Sequence, residues 1–587
     1  MDSPLKHSKQ NYIVLCGAGI LLSIFISYQM RWLGDDIFIA LRYVKHFNEG
    51  HGLVYNIEER VEGYTDFLWL MLISLFTALK FDAEATTEFL GIAFSAGTLI
   101  LFSVICYKVC CIKNKFIFPF ITFALVFNYD YNVWATSGLE VSFVTFLLSA
   151  AFYIYFFTTY EFNKRLLLSG FFICLGLMTR PDIMLILIFL NFLLLIRNIV
   201  NKINFIQLIK NHFTFNLFIL LIYLPYFLWR YSYYGFIFPN TYYDKLGYES
   251  AFAQGFFYIW LYFKCHFTSF LIFIPFFTLL PLLRKSNIKN IILQKEYAPL
   301  LTATSVVLIY LVFFVAKVGG DFMYARFIIP SVPFIYFIIF YSLSILKFKY
   351  LNLTLFVILC LNGIETSIRT KLFIGIDKHA QEFPLFPEGI ADERYCYLYF
   401  SNTALDVKRG KELNKFLNDI PYKAIIYGAQ ARFAYYANFS YCQEYFGLTD
   451  TLIAHSEIKE RGRIGHEKHA TIEYIESKKI NFSFSAGYLK EDAYRQASID
   501  LPSGTINMEI ISYDNALIEK FTQKLDESFH YIHFPSYLDT YIKDTLSTAN
   551  NYEQLNNDYK KFQAYYFKNN SDPQREQLFT DKLKELK

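Results

Sequence analysis

Apolar runs long enough to cross a bilayer recur along the first 368 residues of this 587-residue chain and then stop. A straight helix needs roughly 20 apolar residues to cross the hydrocarbon core. A chain with many such runs must pair its backbone polar groups internally, as bundled helices. Candidate spans lie at 11–30, 89–108, 116–128, 139–158, 166–180, 182–196, 212–230, 267–283, 297–316, 327–346 and 350–368. Mean hydropathy of +0.29, with 65 Phe and 47 Tyr, agrees with a polytopic membrane protein. The first run follows Lys6, His7 and Lys9; it is longer than a signal-peptide core and has no small-x-small exit, so it reads as an uncleaved span. A net charge of +4 without a long basic stripe argues against nucleic acid as a partner.

One further apolar piece, 67–80, decides the topology. Were it a span, the basic stretch KVCCIKNK (108–115) would face outward. Treated as an interfacial or re-entrant helix, it lets the charges sort. The pieces 1–10, 108–115, 159–165, 197–211, 284–296 and 347–349 then carry sixteen Lys and Arg against three Asp and Glu. The opposite pieces, 31–88, 129–140, 180–182, 230–266 and 317–326, carry eleven against sixteen. Positive charge collects on the cytoplasmic side. The expectation is therefore eleven spans with the amino terminus inside. Trp32, Trp134 and Trp229 fall at outer span ends, where an aromatic belt would place them.

Beyond residue 368 the texture changes. Residues 369–587 hold no Trp and no run of spanning length, and they carry turn signals such as PLFPEG (384–389) and LPSG (501–504). The expected division is a transmembrane domain, 1–368, and an extracytoplasmic soluble domain, 369–587, long enough for its own core. The stretch YKAIIYGAQARFAYYANFSYCQEYFGLTD (422–450) reads as strand, Gly turn and helix, an α/β start. Seven of the nine cysteines lie in or beside spans as small core residues. Cys396 and Cys442, alone in the outer domain, are candidates for a disulfide in an oxidising compartment, although spacing does not establish contact.

Under this topology Asp35, Asp36, Arg42, Arg60, Glu62, Glu140, Arg180, Asp182, Lys245, Asp321 and Arg326 all fall on the outer face, from six places along the chain. Each has a bland reading alone. Asp35 and Asp36 suit a helix cap, Arg180 before Pro181 suits a snorkelling span end, Glu140 suits the cap of the next helix, and GGDF (319–322) suits a turn. His51 in HGL suits a structural loop residue. Their shared side is the signal, because charges near membrane depth mark a substrate path.

Such a set fits transfer of a sugar from a polyprenyl phosphate. Arg or Lys would neutralise the departing phosphate. A carboxylate would take the proton from the acceptor hydroxyl as it attacks the anomeric carbon, and a second would orient the acceptor or couple to the first. No His, Cys and carboxylate spacing forms a metal motif. No cofactor is required, and a divalent cation is compatible with the acidic pair without being demanded by it. No Gly-rich nucleotide fingerprint appears, which fits a lipid-linked donor.

These residues also carry a resemblance. GDDIFIALRYVKHFNEGHGLVYNIEERVEGYTDFLW (34–69) resembles the first outer loop of the GT-C membrane glycosyltransferases related to the terminal β-(1→2)-arabinofuranosyltransferase of mycobacterial walls. ATSGLE (135–140), LMTRPD (177–182), YYGFIFPNTYYDK (233–245), GGDFMYARFIIPSVP (319–333), GLTD (447–450) and GHEK (465–468) follow in the family's order and cover most of the chain. The resemblance implies a GT-C fold, a polyprenyl-phosphate sugar donor and a cell-envelope glycan or glycoconjugate as acceptor. It places the protein in the bacterial inner membrane as a multi-pass enzyme whose carboxyl-terminal domain lies outside. It also implies catalytic aspartates in the first outer loop. Asp35 is expected as base and Asp36 as its acceptor-orienting partner, with the order of the two left open. Arg326, Lys245, Arg180 and Arg42 are expected at the donor phosphate, and Glu62, Tyr64, Glu140, Asp321 and Asn240 around the sugar or acceptor.

Two departures stand out. GGDFMYARF has Phe327 after a single Arg, where the family pattern carries a second cation, and Asp182 stands where Glu is common. The Lys, Asn, Ile and Phe bias differs from mycobacterial proteins, which leaves the sugar open between pentose and hexose. Lipopolysaccharide and surface glycoproteins are equally open as acceptors. The alternatives are a flippase for lipid-linked sugars, which calls for internal repeats and polar span midpoints that are not evident, and a non-catalytic envelope assembly protein.

Overall fold

The computed structural model describes residues 4–113, 118–246, 250–274, 297–345, 350–374, 389–399, 403–427, 430–460, 462–484 and 492–587. Among these, seven helices are long and apolar enough to cross a membrane: Lys9–Gln29, Ala83–Val109, Phe162–Thr179, Ile183–Val200, Phe205–Tyr234, Ala298–Ala316 and Leu351–Ile368. An eighth arises if Phe252–Cys265 and Phe267–Phe273, bent by 112° at their junction, form one span. This is a multi-pass membrane protein.

Three of the expected spans come out shorter. The run 139–158 is the helix Val141–Phe157, and 327–346 is Ile329–Ile345; both are apolar but under full spanning length. Within 116–128 the helix covers only Phe120–Val126 and leads through Asn128 into a second short helix, Tyr129–Trp134. The reason is a polar insertion: Asn128 caps the second helix, and its side-chain amide also reaches the hydroxyls of Tyr262 and Tyr336. Part of the expected span 267–283 lies outside the described residues.

The interfacial assignment of 67–80 is supported by length. The helix Phe67–Ala78 has 12 residues, or about 18 Å at 1.5 Å per residue, too short to cross. Elsewhere backbones approach closely through glycine, as membrane helices commonly do. A Cβ on Gly170 would stand 1.9 Å from the Phe215 carbonyl oxygen on the neighbouring helix.

The aromatic belt is corrected for two of its three members. Trp32 and Trp134 are buried, packed edge to face at 5.5 Å, and their indole N–H groups donate to the carbonyls of Val133 and Tyr324. A span end can point its Trp inward when a partner carbonyl is there to receive it. Trp229 is exposed.

The last apolar helix runs Leu351–Ile374, so the expected boundary at 368 falls inside it. The C-terminal region carries a six-stranded sheet of order β2-β1-β3-β5-β4-β6. Its strands are β1 Lys423–Ile426, β2 Tyr441–Glu444, β3 Phe482–Ser483, β4 Gln496–Leu501, β5 Gly504–Ile510 and β6 Phe529–Tyr531. β1 pairs in parallel with β2 and β3, and the other pairings are antiparallel. The helix Ala431–Ala437 connects β1 to β2, which is the anticipated α/β start. Cys396 and Cys442 are both buried free thiols: Cys396 sits in the helix Glu393–Tyr399, and Cys442 sits in β2 beside the Tyr55 hydroxyl at 3.5 Å. The disulfide is not formed.

Residues expected in the site make long-range contacts instead, Arg42 and Asn240 to the C-terminal region and Glu62 within the membrane region. Arg42, 2% exposed, donates to the carbonyls of Tyr55 and Phe439. The Asn240 amide donates to the carbonyls of Gly447, Leu448 and Asp450. Glu62 accepts from Arg230 Nε on both oxygens, at 2.8 and 2.9 Å, and both residues are buried. Removing one member of such a pair strands the other charge. Arg230→Ala is expected to cost about 3–5 kcal/mol, seen as a large drop in the melting temperature of the detergent-solubilised protein.

Candidate active site

The site forms where helix ends meet loops. The helix Asp36–Asn48 begins at the Asp pair, and Gly34 immediately before it donates its N–H to the Ser137 carbonyl at 3.0 Å, docking the first loop onto ATSGLE. Glu140 precedes the helix Val141–Phe157, Arg180 follows Phe162–Thr179, and Asp182 precedes Ile183–Val200. Four ends from three apolar helices and one amphipathic helix thus bring their charges together.

The GGDFMYAR segment supplies the opposite wall and needs its glycines. Gly319 and Gly320 have φ of +85° and +79°, and a Cβ on Gly320 would lie 2.4 Å from the Tyr258 ring. Ala325 also adopts φ +65°, which is costly for a residue with a Cβ. The strain sits one residue before Arg326 and turns that guanidinium inward.

The ion pairs form one chain. Arg180 Nη1 lies 2.6 Å from Glu140 Oε1, and its Nε lies 2.9 Å from Asp182. Arg326 bridges Glu140 at 3.5 Å and Asp321 at 3.3 Å. Lys245 Nζ stands 3.6 Å from Asp321. Burial alone would raise the Glu140 carboxyl, but Arg326 and Arg180 outweigh it and hold the group below its usual value. Arg326 Nε has no hydrogen-bond partner among the described residues. The bland readings of Glu140 and Arg180 are displaced: neither caps nor snorkels.

The two aspartates part company. Asp35, 5% exposed, accepts from the backbone N–H groups of Ala431 and Arg432 at 2.7 and 2.9 Å. It caps a helix, Ala431–Ala437, but one belonging to the C-terminal region. Burial pushes its carboxyl up to about 6, against the pull of those two amides. Asp36 is only partly buried, and no described residue hydrogen-bonds or ion-pairs with its carboxylate. Burial raises Asp36, Lys245 and Arg326 draw it down again, and Asp321 adds a further upward push.

Of the sequence-derived candidates, Asp36, Glu140, Arg180, Lys245, Asp321 and Arg326 converge. Asp35 adjoins them as a clasp. Arg42, Glu62 and Asn240 are taken up by the partners described above, and the Tyr64 hydroxyl lies 3.0 Å from that of Tyr234 in a buried pocket.

Several contributors were not anticipated. Asp66, buried before the helix Phe67–Ala78, is pushed to about 7 by burial and by Glu140. Glu393 and Arg463 form a pair at 3.2 Å beside Asp36 and Asp321. Glu444 accepts from the N–H groups of Phe446 and Leu448 and is raised to about 7 by burial. His466 lies against Phe322 and Phe446, and burial and Arg463 push it down to about 4. Asp66 and His466 sit inside the quoted motifs; Glu393 and Arg463 had no signal. Among the described residues, no three His, Cys, Asp or Glu side chains are grouped to hold a metal ion.

The arrangement places one partly solvated carboxylate among cations. It can accept a proton at Asp36 and bind an anion at Arg326 and Lys245.

Comparison with solved structures shows the fold. The chain is similar to the crystal structure of ArnT from Cupriavidus metallidurans in the apo state, with a TM-score of 0.50, 11% identity, and coverage of 86% of this chain and 98% of that one. The crystal structure of the same protein bound to undecaprenyl phosphate gives a TM-score of 0.46 at 11% identity, covering 73% of this chain and 85% of that one. No family model and no curated protein sequence matches. The GT-C fold expected from the motifs is therefore shared; an arabinofuranosyltransferase relationship is not shown by these likenesses.

Proposed function

We propose that this protein is a membrane glycosyltransferase that moves a sugar from a polyprenyl phosphate to a hydroxyl of a cell-envelope glycan or glycoconjugate. The observation that carries the reading is the Asp36 carboxylate, left without a direct partner among the described residues and faced by Lys245 and Arg326. The shared GT-C fold supports it. The amino terminus is cytoplasmic in this reading, and the reaction proceeds on the outer face of the inner membrane.

Asp36 takes the proton of the acceptor hydroxyl as its oxygen attacks the anomeric carbon. The bond from that carbon to the phosphate oxygen breaks, and the electron pair leaves with the phosphate. Arg326 and Lys245 offset the charge that remains, while Glu140, itself paired with Arg180, and Asp321 hold Arg326 in place. One displacement inverts the anomeric centre. Asp35, which the family resemblance put first as base with the order left open, becomes in this reading the clasp that fixes the start of the helix carrying Asp36.

The pH profile follows from the same groups. A base works only when ionised, so transfer should rise with pH through a midpoint above the ordinary Asp value. Lys245 lowers that midpoint, so Lys245→Met is expected to move the acidic limb to higher pH. Initial rates of purified protein in liposomes across pH 4–8 check this; an unmoved limb would detach Lys245 from Asp36.

The product is named by glycan composition and linkage analysis of envelopes from cells lacking the protein. Loss of one terminal sugar, restored by wild type and not by Asp36→Asn, supports the transferase. Restoration by both would leave an assembly role.

A further inference from the structure

The C-terminal region contributes a cation whose purpose the membrane helices do not explain. Arg463 is held toward the site from both sides. Gly389, at φ +69°, lets the chain pass so close that a Cβ there would stand 3.0 Å from Arg463 Cβ. Two residues on, Gly465 packs on Lys245, whose Cε would be 3.3 Å from a Cβ at that position. Lys468, buried, then anchors the loop by donating to the carbonyls of Tyr243 and Ala454 at 2.8 and 2.6 Å.

So placed, Arg463 shares its surroundings with Lys245. Its Cζ lies 4.7 Å from the centre of the Phe322 ring, and Lys245 Nζ lies 5.4 Å from the same centre. Both cations bear on Asp36 and on His466. Arg180 and Arg326 each have two carboxylates, whereas among the described residues Arg463 has Glu393 alone. Burial pushes the Glu393 carboxyl up to about 8, which weakens it as a counter-charge to Arg463. Arg463 Nε is buried and has no hydrogen-bond partner among the described residues. A guanidinium in this position offers a fork suited to phosphate.

We propose that Arg463 is a substrate-binding residue supplied by the C-terminal region, and that it contacts the donor phosphate together with Lys245 and Arg326. The inference rests on the lipid-phosphate reading above. It makes the site composite: the membrane helices alone hold an incomplete phosphate cradle.

The test measures binding of undecaprenyl phosphate to the full-length protein in detergent, with undecaprenol as the uncharged control. Wild type is expected to prefer the phosphate. Arg463→Met should weaken phosphate binding about tenfold or more, as loss of a charge-assisted hydrogen bond does, with undecaprenol unaffected. Arg463→Lys should fall between. Phosphate preference unchanged in Arg463→Met overturns the inference alone. So does an equal loss of undecaprenol binding in Arg463→Met, which would mark Arg463 as a packing residue. No preference in wild type overturns the lipid-phosphate reading itself.

Discussion

Asp36→Asn is expected to reduce glycosyl transfer by about 10²–10⁴-fold, the usual contribution of a positioned general base, while the protein folds and binds donor as before. The substitution is close to isosteric, and no hydrogen bond within the described residues depends on the Asp36 carboxylate. What changes is the capacity to accept a proton. Turnover of a polyprenyl-phosphate sugar in liposomes, with melting temperature and undecaprenyl phosphate binding measured on the same preparation, separates chemistry from folding. Near-normal turnover would end the assignment of Asp36 as base. A lowered melting temperature would show that Asp36 has a structural load like that of its neighbour.

The second large effect is thermodynamic. Asp35→Ala should destabilise the protein by about 2–6 kcal/mol at pH 7, because two buried N–H groups at the start of Ala431–Ala437 lose their acceptor, at about 1–3 kcal/mol each. Transfer should fall along with it, since the clasp orients the helix that carries Asp36. The pH dependence has a definite sign. Burial raises the folded-state carboxyl to about 6, above its unfolded value, so the native state takes up a proton between roughly pH 4 and 6. This contribution is full at low pH and is lost as pH rises through that window. Asp35 supplies part of this slope, alongside Asp66, Glu444 and Glu393, and the slope should be shallower in Asp35→Ala. Melting curves of both proteins between pH 4 and 8, with limited proteolysis of the C-terminal region, measure it. Equal slopes would mean that another buried carboxyl, such as Glu444 or Glu393, dominates.

The contrast between these neighbours shows where reading the chain stops. Both are Asp, both lie at a helix start, and local pattern ranks neither above the other. The ordering suggested by resemblance put the base at Asp35. The structure surrounds that carboxylate with amides from a helix 396 residues further along. Arg42, Glu62 and Asn240 were similarly legible as outer-face polar residues, and each proved to join one loop to another.

Hydropathy and charge asymmetry are local quantities that add along the chain. They were enough for the membrane class, for the short helix at 67–80, for the α/β start at 422–450 and for the gathering of charge at helix ends. Among the described residues they overstated the length of three expected spans, one of them because Asn128 breaks a run that is otherwise apolar. The role of each carboxylate and cation depends on which distant group packs against it. That is why the pairing of Glu393 with Arg463, the burial of Trp32 and Trp134 and the different surroundings of Asp35 and Asp36 were decided only by the tertiary structure.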